Sequence, residues 1–277
     1  MDRLDAFKKI ALQAQRGELS FPTNVDATLK LQRALGDPDL HAEDAARLVQ
    51  AEPLLAAKTV AIANSAAYNR SGKAITTVRA AVQLVGFRVL NALSAAVIVR
   101  QLDSKITDPQ LRAKADQLWK HSAHVAALSQ LIAKRISKVD PETALFAGIV
   151  HEVGGFYMLS RAAEFPGVLD GDPDEWIEFG ETTIGRGVLA KLGVPAPVME
   201  AIEAMWVGMR ALPPETLGDT LMLANDLSPL DSPLHVRAGA TTRQSAATVD
   251  FVVGEGTLAD ILKDAKDEVD SLTAALF

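Results

Sequence analysis

The stretch Leu118-Trp119-Lys120-His121-Ser122-Ala123-His124-Val125-Ala126, followed by Phe146-Ala147-Gly148-Ile149-Val150-His151-Glu152-Val153-Gly154-Gly155-Phe156, decides how this chain is read. Leu118, His121, Val125, Leu128 and Ile132 recur at spacings of three and four, which puts His121 on the buried stripe of a helix. A second helix opens with Asp140 as N-cap, Pro141 in its first position and Glu142 in its first turn; it is expected to end at Gly154-Gly155, with His151 at its close. Ala144, Ala147, Gly148 and His151 share one face of small residues. A neighbouring helix can therefore come close enough to bring His121 beside His151.

Around this centre the composition describes a folded chain. Its 277 residues are 48% hydrophobic, ample for one large or two small cores. With no cysteine, disulfides and thiolate metal sites are excluded, and a reducing, cytoplasmic setting is expected. The first residues are too acidic for a signal peptide. The most apolar run, Val89 to Val99, is too short to span a bilayer and is broken by Asn91 and Ser94, so no membrane is expected. Charge is uneven. Residues 70–138 hold 12 basic and 3 acidic groups, whereas residues 139–277 hold 8 basic and 23 acidic. The simplest account is that the two parts face each other or are solvated; a dedicated anion-binding face would use Arg70, Lys73, Arg79 and Arg88.

In chain order nearly every segment reads as helix. Residues 3–15, 25–35, 42–51 and 54–64 come first, punctuated by Gly17 to Pro22, Asp37-Pro38 and Pro53. A helix begun by Thr76 or Thr77 ends at Gly86, residues 87–102 form the next, and Asp108-Pro109 opens the His121 helix. Further on, Asp172-Pro173 begins a helix through Phe179, Ile184 to Leu192 forms another closed by Gly193, Pro197 starts one running to about Met209, and residues 216–227 make one more. Residues 228–256 resist assignment apart from a β-like run, Thr248 to Val253. Thr257 caps one last amphipathic helix carrying Leu258, Ile261, Leu262, Val269 and Leu272. No repeat or low-complexity tract interrupts the pattern.

The inward His121 followed by a His-acid pair at a helix end resembles the HD phosphohydrolase pattern. The first hundred residues carry a more specific likeness. Leu19-Ser20-Phe21-Pro22, Asp37-Pro38, the run Ala46 to Tyr68 containing Glu52-Pro53 and Asn64-Ser65, then Ile75 to Val78 and Leu84 to Gly86 are similar to the HDOD (HD-related output domain) family over roughly residues 17–210. That resemblance implies an all-α domain of bacterial signalling proteins that keeps an HD-like helical core and generally lacks its catalytic machinery. The implied layout is an N-terminal helix (1–16), an HDOD-like domain (17–210) and an irregular segment with a C-terminal helix (229–277). Within it, a helical lobe (17–106) meets an HD-like core (107–228).

An active HD enzyme binds metal through a first His, a His-Asp pair and a distant Asp, and the ion activates water and polarises a phosphoryl group. Here His121 and His151 match the histidines, but Glu152 stands where the pair has Asp, and its extra methylene displaces the carboxylate by ~1.5 Å. By register, a frequent family His falls on Glu181, a His-His pair on Met205-Trp206, and the terminal Asp on Asn225, with Asp226 about 100° further round the helix. Met and Trp serve no hard metal. These five vestigial positions, His121, His151, Glu152, Glu181 and Asn225, therefore predict no metal, no cofactor and no catalysis. The expected role is docking to signalling proteins of receiver, cyclase, phosphodiesterase or kinase type through Glu52, Pro53, Asn64, Ser65 and Tyr68. The alternatives are a metal-dependent phosphohydrolase for a nucleotide or cyclic dinucleotide, and a degenerate cleft that binds such a messenger without turnover. Nucleophile-elbow, Walker and His-Glu-x-x-His templates are absent, and an acidic chain of pI near 5.3 argues against nucleic acid.

Overall fold

The computed structural model describes residues 2–21, 23–169, 176–208, 210–234 and 257–276, and helices with their connections account for all of them. α1 (Arg3–Gln15), α2 (Thr23–Leu35), α3 (Ala42–Gln50) and α4 (Pro53–Asn64) lead into α5 (Val78–Leu102). α6 (Pro109–Ile132), α7 (Pro141–Val150) and α8 (Val153–Arg161) form the centre. A π-helical segment, Trp176–Gly185, then precedes α9 (Arg186–Lys191), α10 (Ala196–Val207), α11 (Leu217–Leu227), α12 (Thr257–Asp264) and α13 (Lys266–Leu276). The expected all-α class holds, with no strand among the described residues.

Local chemistry sets the boundaries near the centre. The Asp108 carboxylate accepts from the backbone N–H of Gln110 and Leu111 and starts α6; Asp140 accepts from Thr143 N–H and starts α7. Thr77 caps α5 through Ala80 N–H. Inside α5, Gly86 takes φ +78°, a left-handed conformation that breaks the helix where the sequence placed a stop. By length and hydropathy α5 passes as a membrane-spanning helix, but 67% of its apolar window is buried against the rest of the protein.

One apolar cluster runs from Phe7 and Ile10 of α1 to Leu272 and Leu276 of α13, so a single core spans the two expected lobes. α5 packs on α2, α3 and α4 on one side and on α7 on the other, while α6 and α7 form the most extensive helix pair. They approach through the predicted small-residue face: a Cβ built on Gly148 would lie 2.4 Å from the Cα of Ala126.

Several boundaries differ from the sequence reading. α7 ends at His151, and Gly154-Gly155 do not terminate a helix but sit inside α8. The reason is packing: a Cβ on Gly154 would meet the Cα of Gly185 at 2.8 Å, so the glycine serves a close crossing. The expected single C-terminal helix is two, divided at Ala265. The first part of the expected helix at Ile184 is π-helical. The start at Asp172-Pro173 and the β-like run 248–253 lie outside the described residues, as does the Thr257 side chain.

Candidate functional site

α6 and α7 bring His121, His151 and Glu152 together. All three are buried, at 2%, 8% and 5% exposure, and their ligand atoms lie within 4.8 Å of one another. Backbone carbonyls orient both rings. His121 Nδ1 lies 2.6 Å from the Leu230 carbonyl and His151 Nδ1 lies 2.7 Å from the Gly148 carbonyl. A carbonyl only accepts, so each Nδ1 carries a proton and donates it, which turns the two Nε2 acceptors toward each other at 3.4 Å.

That spacing bears on what the centre can hold. At 3.4 Å an N–H···N hydrogen bond is long. Two imidazole nitrogens each ~2.0–2.1 Å from one tetrahedral ion stand about 3.3–3.4 Å apart. The donor set His, His, Glu therefore fits a single divalent ion with room for a fourth ligand. Among the described residues it does not extend to two ions. Met205 is buried in α10 and Trp206 lies over Arg186. Asn225 is half-buried and its side chain makes no hydrogen bond to a described residue, and Asp226 is paired with Arg210. Glu181 lies in the π-helical segment, and its side chain is outside the described residues.

Among the described residues the centre is covered on the His121 side. Ser228 and Leu230 follow α11 and lie over His121, and a Cβ on Gly155 would meet Leu234 at 2.4 Å. Beside His151 and Glu152, between Gly185, Leu189 and Trp206, the cleft has room (≈ 10 Å³) for little more than one water.

The other sequence candidates sit elsewhere. Glu52 and Pro53 start α4. At its end Asn64 bridges the turn: Nδ2 donates to the Val60 and Ile75 carbonyls at 2.9 and 2.7 Å, and Oδ1 accepts from Ile75 N–H at 2.8 Å. Ser65 Oγ donates to the Ile62 carbonyl. The Tyr68 hydroxyl accepts from Gln130 of α6 at 2.7 Å, and burial, with the charges of Glu142 and Glu268 nearby, pushes its pKa up to about 12. Arg70, Lys73, Arg79 and Arg88 are all exposed; Arg79 pairs with Glu43 and Arg88 with Asp140, so the four do not converge on one anion.

Three features escaped the sequence reading. The carbonyl of Leu230 carries no side-chain signal at all. Lys58, buried at 8% exposure, shares the stripe Leu55, Thr59 and Ile62, and that spacing was the available signal. Burial and the nearby charge of Arg100 hold its pKa below the usual lysine range. Asp103 follows the apolar run of α5, and burial pushes its carboxyl up to about 7 despite Arg100 at 3.2 Å.

Comparison with known proteins agrees with this architecture. The HDOD domain model matches residues 21–206, and the chain belongs to the HDOD family. A solved structure of a proposed metal-dependent phosphohydrolase from Shewanella amazonensis SB2B superposes with TM-score 0.74 at 21% identity, covering 100% of both chains. An HDOD domain protein of unknown function from Geobacter sulfurreducens gives 0.66 at 19%, covering 99% of each. A proposed signal transduction protein from Marinobacter aquaeolei VT8 gives 0.58 at 16%, covering 99% of this chain and 66% of that one. At these identities the likeness concerns the fold. Among curated proteins no sequence matches.

Proposed function

We propose that this chain is a bacterial, cytoplasmic signalling output domain that works by binding other proteins and performs no hydrolysis. The observation that carries this reading is the closure of the histidine centre: a cleft of ≈ 10 Å³ admits no nucleotide, and the Leu230 carbonyl caps the first histidine. Family membership and the fold shared with a proposed signal transduction protein agree with it. The dispersed arginines and Lys73 speak against a cleft that grips a nucleotide second messenger.

The 3.4 Å Nε2 separation favours one further reading, a single divalent ion held by His121, His151 and Glu152. Such an ion, when bound, would supply Lewis acidity toward a phosphoryl oxygen and a more acidic water. The chain's own part is then to fix both imidazole tautomers through the Leu230 and Gly148 carbonyls, to place the Glu152 carboxylate and to exclude solvent.

Elemental analysis of protein purified without chelator, paired with hydrolysis assays on nucleotides and cyclic dinucleotides with added Mn²⁺, separates the readings. No turnover is expected, with His151→Ala indistinguishable from wild type in that assay. One ion per chain, lost in His121→Ala and His151→Ala without hydrolysis in any variant, makes the ion structural. Two ions per chain and turnover abolished by His151→Ala overturn the non-catalytic reading.

A further inference from the structure

The last helix, α13, lies in the groove between α4 and α6, its principal neighbours besides α12. Val269, Leu272 and Leu276 are buried there. The polar contacts alternate along it: Lys134 Nζ meets Glu268 Oε1 at 2.9 Å, Ala66 N–H donates to Ser271 Oγ at 3.0 Å, and Lys58 Nζ donates to the Leu276 carbonyl at 2.7 Å. An acidic helix, with Asp267, Glu268 and Asp270 against Lys266, thus sits against Lys58 and Lys134. The charge imbalance of the sequence is in part this complementarity.

We propose that the α4–α6 groove is a docking site for an acidic amphipathic helix of a partner protein, and that α13 occupies it in cis. The partner helix would repeat the chemistry of α13: apolar residues at positions i, i+3 and i+7 and a carboxylate one residue before the first. Partner and α13 compete for one groove, so the free chain withholds it. Two properties make α13 the displaceable occupant. Its contacts fall mainly on one side, on two helices, whereas α6 is packed against α7, α11, α8 and α13. Its seat also buries a lysine whose solvation is restored when the helix leaves. The proposal rests on the protein-binding reading above and names its surface.

The test uses the full chain. Leu272→Glu is expected to detach α13 and leave the groove open to a synthetic peptide of residues 257–276. The variant should then bind that peptide about tenfold or more tightly than wild type does, because wild type must first vacate the site. A Glu268→Lys peptide should bind it less well, and Lys134→Glu in the protein should rescue that peptide. A Leu272→Glu chain that keeps its helical circular dichroism and cooperative unfolding but binds no better than wild type overturns the proposal. Should that variant not fold, amide exchange on wild type decides. Opening of 266–276 independently of 118–132 supports the proposal, and exchange only through global unfolding overturns it. A dimer that exchanges α13 between two copies, seen by light scattering, also overturns it, since the occupant is then a second copy. Absent peptide binding without hydrolysis removes the groove alone, whereas hydrolysis in the metal assays removes the non-catalytic reading and leaves the groove standing.

Discussion

α6 meets two different neighbours along its length. Toward α7 it presents backbone, Ala126 against Gly148, and beside that contact the carbonyls of Leu230 and Gly148 hold the two imidazoles. Toward α13 this helix and the residues just past its end present side chains: Lys134 pairs with Glu268, and Val269, Leu272 and Leu276 supply apolar residues on one stripe. The first contact leaves no slack, because backbone cannot change rotamer. The second is adjustable, since partly exposed ion pairs contribute on the order of 1 kcal/mol or less. The histidine centre thus sits at the close-packed α6–α7 contact, and the α13 contact lies on another side of the same helix and just beyond its end.

The most severe way to break this contrast is Gly148→Ala. A methyl group in place of hydrogen gains up to about 1 kcal/mol of helix propensity. Its Cβ, however, falls 2.4 Å from the Ala126 Cα, so α6 and α7 must separate. A net loss of about 3 kcal/mol is expected in urea unfolding, the upper range for overpacking. A loss under 1 kcal/mol would show the centre to be as adjustable as the α13 face.

How much of this was legible in the sequence follows from the same contrast. Side-chain patterns announced the helices, the caps at Asp108 and Asp140, a cap at Thr76 or Thr77, the break at Gly86, and the pairing of His121 with His151 across a small-residue face. Backbone partners left no such trace. Leu230 caps His121 through a carbonyl that any residue would supply, inside a segment the pattern could not assign. The glycines Gly154 and Gly155 read as a stop because sequence does not distinguish a glycine needed for a turn from one needed for a helix crossing. The division of the last helix at Ala265 had no Gly or Pro to mark it. Lys58 was readable by its stripe, but an isolated lysine among apolar residues is ordinarily an exposed one.

Near the start of α6 a third neighbour sharpens the comparison with charge. Asp103 is paired with Arg100, which also reaches Asp116 of α6 at 3.5 Å, and burial holds its carboxyl near 7 against an ordinary 3.8. A carboxyl whose pKa is raised by folding contributes its stabilisation fully below about 3.8, and that contribution is lost as pH rises toward 7. Asp103→Asn does not titrate. Its stability relative to wild type should therefore rise between pH 4 and pH 8, by on the order of a few kcal/mol. A pH-independent difference in thermal unfolding would show that the carboxyl is solvated, and the N-terminal part of α6 would then belong with the adjustable face.

The smallest effect is expected where the two kinds of contact meet. Asn64 is exposed, yet its amide closes the turn after α4 with three hydrogen bonds to Val60 and Ile75, and that turn presents Ala66 to α13. Asn64→Ala removes a backbone-directed clamp without touching α13. Water can replace part of what is lost at an exposed site, so global stability should fall by only about 1 kcal/mol. Amide exchange should nevertheless accelerate more in 266–276 than in α6, since the seat of the last helix is loosened while the α6–α7 contact is unaffected. Equal acceleration in both would mean that the turn supports the core as a whole, and that α13 is held by the same cooperative unit as the histidines.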